Sequence, residues 1–319
     1  MINEKMIGLK NSLRIILDFI EDKADVVYID YPLHHNVGDL LIFVGTIEFF
    51  KKYKVKVRKN LNAHNLDILK LNKLITSKTT ILCHGGGNFG DIYGLHHNLR
   101  EKIIESFPNN RIIILPQTAF FAEQVNLEKS RQIFLKHNNV VLLARDDPTY
   151  ELFKSFSPHT YLIPDMAHQL YETLPIDKKA GIGTFYFFRK DIELNPLQEE
   201  LRNKIKTANI YDWEDLLTKK DHKLLIIMYK FMRANKRLKL DFIDDAVFNI
   251  WHKHSKKLAY KYAKLFSSYD EVITSRLHAH ILSCLVGTSS TVIDNNYGKN
   301  KAYYDRWTND MDFTHFLDE

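Results

Sequence analysis

Cysteine is almost missing from this chain: Cys83 and Cys284 are the only two in 319 residues, and both sit in apolar runs, ILCHGGG and ILSCLVG. Such isolated thiols exclude a disulfide framework and read as buried groups of a reduced compartment. Proline and glycine are few, 8 and 12 residues, which excludes collagen-like and low-complexity chains. No stretch approaches the ~18 apolar residues of a membrane span. The opening segment, MINEKMIGLKNSLRIILDFIEDKAD, mixes charges into helical periodicity and has no clean apolar region of the signal-peptide kind. What is present, 45% hydrophobic and 26% charged residues, describes a globular protein expected in the cytoplasm. Its length suffices for two core-bearing domains of roughly 150 residues each.

Charge is uneven along the chain. Residues 201–265 hold 16 Lys and Arg against 7 Asp and Glu, while the whole chain is +6, so the remainder is net acidic. A basic block of this kind suits anionic partners or simply solvates helix faces. No nucleic-acid-binding motif accompanies it, and none is expected to bind.

The first half alternates short β-branched runs with amphipathic stretches. Expected strands are Val26–Ile29, Val55–Val57, Thr80–Cys83, Arg111–Leu115, Val140–Leu143 and Thr160–Ile163, with helices such as Asp39–Tyr53 and Leu95–Phe107 between them. This order implies parallel pairing through right-handed crossovers, hence a Rossmann-like α/β domain over 1–174. A turn-rich link follows at 174–183. A second Rossmann-like domain is expected over 182–319, with strands Ile182–Phe188, Glu271–Thr274 and Thr291–Ile293, helices Asp245–Phe266 and Arg276–Val286, and a polar helical tail. Leu224–Phe231 is too short an apolar run to type by periodicity. The expected architecture is α/β, two such domains facing a cleft.

Three strand-to-helix turns carry residues suited to chemistry. In HHNVGD (34–39), Asn36, Gly38 and Asp39 fall at the carboxyl edge of the sheet, where open α/β sheets bind ligands. Asp39 serves there as a helix cap or as a base for a hydroxyl. The adjacent His34 and His35 rarely serve one ion together, and no metal site is expected. In ILCHGGGNFGDIYG (81–94), a strand runs into three glycines, which free backbone N–H groups toward an anion or a sugar hydroxyl. Gly86, Gly87, Asn88 and Asp91 are its candidates. The spacing is neither a dinucleotide fingerprint nor a Walker loop. In ITSRLHAH (273–280), Ser275, Arg276 and His278 open a helix, so amide groups, a forked cation and a proton-transfer group coincide. His280 points elsewhere and reads as packing. A weaker signal is Arg189 with Lys190 at the end of the second half's first strand.

Taken together, NVGD (36–39), GGGNFGD (85–91), LPQT (115–118), ARDDPTYELF (144–153), IPDMA (163–167) and TSRLHAHILS (274–283) resemble the polysaccharide pyruvyl transferase family, in the family's order and over about residues 25–300. The resemblance implies a fold similar to the two-domain GT-B arrangement and transfer of pyruvate from phosphoenolpyruvate to sugar hydroxyls, usually as a ketal. It places donor binding on Arg276, Leu277 and His278, with Arg189 as the basic residue after the second domain's first strand. It sets the NVGD turn and the glycine loop on the acceptor side. Phosphoenolpyruvate carries a phosphate and a carboxylate and calls for at least two cationic or N–H clusters. His278 is the expected proton donor. No redox cofactor is needed; phosphoenolpyruvate is a co-substrate.

Two other readings share the architecture. A nucleotide-sugar glycosyltransferase would be favoured by a paired Glu near the last helix, where Asp294 and Asn295 stand instead. A non-catalytic carbohydrate-binding protein would be favoured by loss of Arg276 or His278. Finally, Lys253, Lys256, Lys257, Lys261 and Lys264 lie on or near one helix opposite Trp251, Leu258 and Leu265. With a lipid-linked acceptor, which the resemblance suggests, they point to peripheral contact with an anionic inner membrane face.

Overall fold

The computed structural model describes residues 3–177, 181–205, 209–238 and 240–317. The strands of the first half are β1 (Val26–Ile29), β2 (Val57–Leu61), β3 (Thr80–Cys83), β4 (Gly86–Phe89), β5 (Ile112–Ala119), β6 (Val140–Ala144) and β7 (His159–Leu162). Those of the second half are β8 (Thr184–Phe187), β9 (Ile210–Tyr211), β10 (Glu271–Thr274), β11 (Ser289–Val292) and β12 (Thr314–Phe316). The runs VVYI, TILC and VVLLA are buried at every position, the pattern of parallel strands covered on both faces.

All strand pairs are parallel, in two sheets: β2-β1-β3-β5-β6-β7, with β4 alongside β5, and β9-β8-β10-β11-β12. Both sheets place their first strand between the second and the third. The connections leaving the first strand and those leaving the third therefore diverge, and a crevice opens at the carboxyl ends of β1 and β3, and again at those of β8 and β10.

Between the sheets lies helix Val37–Lys52, apolar around most of its circumference and therefore buried. It packs on helix Asp241–Phe266 and on the turn Met166–Leu170. A single apolar cluster joins Tyr28 and Leu82 of the first sheet to Phe185 and Val272 of the second. Trp251, wholly buried, ties the long helix to the loop after β1 by donating from Nε1 to the Pro32 carbonyl at 2.7 Å.

Several boundaries differ from the sequence expectation. β2 begins at Val57, not Val55, because Lys54 takes a left-handed φ of 57° and the Val55 amide turns back to the Phe50 carbonyl at 2.8 Å. Leu224–Phe231 belongs to helix Lys219–Leu238. The tail holds helix Lys299–Trp307 but also β12. Of the expected link at 174–183, residues 178–180 lie outside the described residues. The triple glycine is not a free loop: Gly86–Phe89 forms β4 along the end of β5, Gly86 opposite Gln117 and Phe89 opposite Ala119. Of the five lysines on the long helix, Lys256 pairs with Glu48 at 2.7 Å and Lys261 donates to the Leu216 carbonyl at 2.6 Å, so this face is less free than the spacing alone indicated.

Gly45 in helix Val37–Lys52 faces the Met166 backbone carbonyl, where a Cβ would overlap the oxygen. Helix propensity favours Ala over Gly by about 1 kcal/mol. The clash reverses the sign: Gly45→Ala is expected to destabilise by about 1–3 kcal/mol, read as a lower urea midpoint. An unchanged or higher midpoint would show that the contact yields freely.

Candidate active site

The two crevices face each other across one cavity of about 430 Å³. The turn after β1 contributes His34, Asn36 and Asp39, and the segment after β3 contributes Gly87, Asn88, Tyr93 and His96. Arg145 enters from the end of β6. From the other sheet come Arg189, Asp191 and Glu193 after β8, Arg276, Leu277 and His278 after β10, and Lys299 after β11. Strand ends thus supply nearly every lining side chain.

His278 stands at the junction. Its Nε2 lies 3.3 Å from Asp165 Oδ2 and 3.4 Å from Arg145 Nη1, and Arg145 Nη1 donates to that same Asp165 oxygen at 2.5 Å. Asp165 and Arg145 are both buried. Burial opposes ionisation of Asp165, but His278, Arg145 and the Ala167 amide outweigh it and hold the carboxyl well below the usual range. Arg145 is steadied further by its Nε–H bond to Thr118 Oγ1 at 2.9 Å, and that hydroxyl donates to Asp146 at 2.5 Å. The ring of His278 packs directly on Gly38, where an added Cβ would come within 2.8 Å of Nδ1. Gly38 is therefore a close-approach glycine that admits a histidine from the other sheet.

Arg276 and Arg189 are held by carboxylates. Arg276 donates from Nε and Nη2 to Asp212 at 2.9 and 2.5 Å and from Nη1 to Asp191 at 2.6 Å. Arg189, buried, meets Asp191 at 2.8 Å and Glu193 at 2.8 Å. Ser275 does not line the cavity; its hydroxyl is buried, accepting from the Arg189 amide at 2.9 Å and donating to Gln198, so it positions the strand end. Glu193 also accepts from Tyr93 at 2.7 Å, Asn295 at 3.1 Å and Lys299 at 2.5 Å. Burial lowers Lys299 to about 8 despite the Glu193 contact, with the Arg189 and Arg145 charges adding to the shift. The amides of Leu277 and His278 open helix Leu277–Val286 toward this group of cations.

On the first-sheet side, Asn36 caps helix Val37–Lys52 by accepting from the Gly38 amide at 3.1 Å, and Asp39 sits 3.6 Å from His34 Nε2. Asp30, the residue after β1, is left-handed (φ 68°) and buried, and its carboxylate lies 2.8 Å from His96 Nδ1. Asn88 accepts two bonds from buried Arg100, at 2.9 Å on its carbonyl and 2.5 Å on its side chain.

Of the sequence candidates, Asn36, Asp39, Gly87, Asn88, Arg189, Arg276, Leu277 and His278 line the cavity together, and Gly38 supports His278 from behind. Gly86 is drawn into β4. Asp91 lies elsewhere: its carboxylate accepts from the Ala122 and Glu123 amides at 2.8 and 3.0 Å and from Asn126, closing a distant turn. His280 is core, between Ser290 and Thr308. His35 turns away from His34 to pack on Trp251 and His222. Among the described residues no group of three or more His, Cys, Asp or Glu could hold a metal ion. Arg145 and Asp165 stood in conspicuous motifs but were assigned no role, and Glu193, Lys299 and His96 were overlooked. The signal available for the first two was their position one residue and three residues past the ends of strands β6 and β7.

A profile of the polysaccharide pyruvyl transferase family matches residues 36–297. The chain is 37% identical over 314 residues to "Putative pyruvyl transferase EpsO" of Bacillus subtilis (strain 168), covering 98% of this chain and 94% of that one. It is 27% identical to "Pyruvyl transferase 1" of Schizosaccharomyces pombe, over 88% and 69% of the two chains. A crystal structure of a functionally uncharacterised Klebsiella pneumoniae protein shares the fold at 20% identity, with a TM-score of 0.63 and full coverage of both chains. This chain belongs to the polysaccharide pyruvyl transferase family.

Replacing Asp165 by Asn leaves Arg145 buried without its counter-charge, at an expected cost of about 3–5 kcal/mol near neutral pH. Because the native carboxyl is held low, its contribution is complete above the unfolded pKa of ~3.9 and is lost as pH falls through that value toward the native one. In urea titrations the gap between wild type and Asp165→Asn should therefore narrow on acidification below about pH 5. A gap constant across that range would contradict an ionised, paired Asp165.

Proposed function

We propose that this protein transfers pyruvate from phosphoenolpyruvate to two hydroxyls of a sugar in a cell-surface polysaccharide or its precursor, forming a cyclic ketal. The observation that carries the reading is the convergence, on one cavity, of His278 clamped by Asp165 with Arg276, Arg145 and Lys299 and a helix N-terminus. A phosphate and a carboxylate on one small molecule match such a set. A cytoplasmic location follows from the supply of that donor. The two sheets with their helices serve as donor and acceptor domains, 182–319 and 1–174, in a GT-B-like arrangement.

The chemistry follows from the side chains. Asp39, beside Asn36 at the start of its helix, accepts the proton of the first attacking hydroxyl. The oxygen bonds to the central enol carbon while a proton reaches the methylene carbon, converting it to a methyl group. The imidazole of His278, which lines the cavity and is held at Nε2 by Asp165, exchanges that proton. The carbon–phosphate oxygen bond then breaks, the second hydroxyl attacks, and its proton leaves with the phosphate. Arg276, Lys299 and the helix start stabilise the departing phosphate charge. An acceptor with two neighbouring hydroxyls would lie against Asn36, Asp39, Gly87 and Asn88.

Release of inorganic phosphate from phosphoenolpyruvate in the presence of candidate acceptors tests this reading. His278→Ala should lower kcat by roughly 10²-fold or more with the KM for phosphoenolpyruvate nearly kept. Arg276→Ala should instead raise that KM by about 10- to 10²-fold, the loss of a charge-assisted contact. Near-normal turnover in His278→Ala would remove it as proton donor. Calorimetric binding of nucleotide sugars but not of phosphoenolpyruvate would overturn the assignment.

A further inference from the structure

Helix Lys219–Leu238 buries only one face. Asp221, Met228, Met232 and Asn235 turn inward, and Asn235 donates to Asp244 of the following helix at 2.9 Å. At helical spacing, Ile227, Phe231, Ala234 and Leu238 form a second stripe beside the buried one. Phe231 and Leu238 are 52% and 58% exposed, and Phe242, at the start of the next helix, is 68% exposed. Hydrated apolar groups grouped in this way mark an interaction surface.

On the helix itself the charges are nearly all of one sign, and the acids beside Phe242, Asp241 and Asp245, are paired with Lys59 and Lys70. Helix Lys219–Leu238 carries seven Lys and Arg against one acid, Asp221, which is buried and accepts from the Thr218 amide at 2.7 Å. Lys220, Lys223, Lys230 and Arg237 border the stripe, all exposed, and among the described residues none of them enters an ion pair. A basic rim around exposed Phe and Leu is the pattern of a surface that lies in a lipid interface. The rim attracts anionic headgroups and the stripe enters the boundary with the acyl chains. A nucleic acid backbone would satisfy the rim but leave Leu238 and Phe242 in water.

We propose that this face of Lys219–Leu238, with Phe242, docks reversibly on a bilayer containing anionic phospholipid. The helix is coupled to the cavity. Tyr229 donates to the Leu33 carbonyl at 2.6 Å, and His35 Nε2 lies 3.2 Å from the Asp221 carbonyl, so the helix leans on the turn that carries His34, Asn36 and Asp39. Docking therefore brings the first-sheet side of the cavity beside the membrane, where an acceptor anchored on a lipid would present its sugar. The proposal stands apart from the pyruvyl-transfer reading, since surface exposure and charge carry it.

Sedimentation of the full chain with vesicles tests it. Binding is expected to vesicles of equal parts phosphatidylglycerol and phosphatidylcholine, weaker at high salt, and not to phosphatidylcholine alone. Each rim residue changed to Gln should weaken binding by about fivefold, so the Lys220, Lys223, Lys230 and Arg237 quadruple variant should lose about two to three orders of magnitude. Phe231→Ser with Leu238→Ser and Phe242→Ser should also reduce binding, chiefly the part that survives high salt. All these side chains are exposed, so circular dichroism and thermal melting of both variants should match wild type. Equal or negligible binding of wild type to the two vesicle types overturns the proposal. So does wild-type binding retained by both folded variants, or retention of single-stranded RNA in place of the anionic vesicles.

Discussion

A buried carboxylate that draws in an arginine from its own sheet and a histidine from the other organises this molecule. Asp165 follows β7 and meets Arg145 from the neighbouring strand end, while His278 arrives from the opposite sheet and points Nε2 at the same oxygen. An ionised carboxylate so deeply buried is tolerable only with close partners. That requirement fixes three side chains and, through them, the spacing of the two sheets at the cavity. Gly38 belongs to the same constraint, since a larger residue there would push the imidazole off its carboxylate. Tyr303, whose hydroxyl lies 2.8 Å from His168 Nε2 and accepts from the Asp165 amide at 3.3 Å, closes the network from helix Lys299–Trp307.

Around this junction the site alternates positive and negative groups. Asp191, Asp212 and Glu193 hold Arg276, Arg189 and Lys299 at set angles, so cationic atoms face the cavity in a pre-arranged pattern. An anionic substrate competes with those carboxylates, and its affinity reports the difference between the two sets of contacts. Pre-arrangement is the advantage for the transfer proposed above: dipoles and charges already in place would lose nothing to reorganisation as charge builds on a departing group.

The sequence revealed the strand ends better than their neighbours. Short buried runs followed by Asn, Gly and Asp mark β1 and β3, and the strand before Arg276 marks β10, so Asn36, Asp39, Asn88 and His278 were legible as edge residues. What joins them was not, because the meeting of the two sheets depends on contacts between residues more than a hundred positions apart. Asp165 and His278 are such a pair. Asp91 misled for a related reason: its carboxylate looked free beside the glycines, yet folding brings it the Ala122 and Glu123 amides. β4 escaped detection because Gly-Gly-Asn-Phe has little strand propensity, and only the exposed edge at the end of β5 makes it pair.

The central claim is that the clamped imidazole of His278 delivers a proton to carbon while pyruvate is transferred. The direct measurement is mass analysis of the sugar product formed from phosphoenolpyruvate in deuterium oxide. The account predicts one solvent deuteron in the methyl group of each transferred pyruvyl unit, with one phosphate released per unit. A product that keeps the methylene as an enol ether, with no solvent deuterium on carbon, would contradict it.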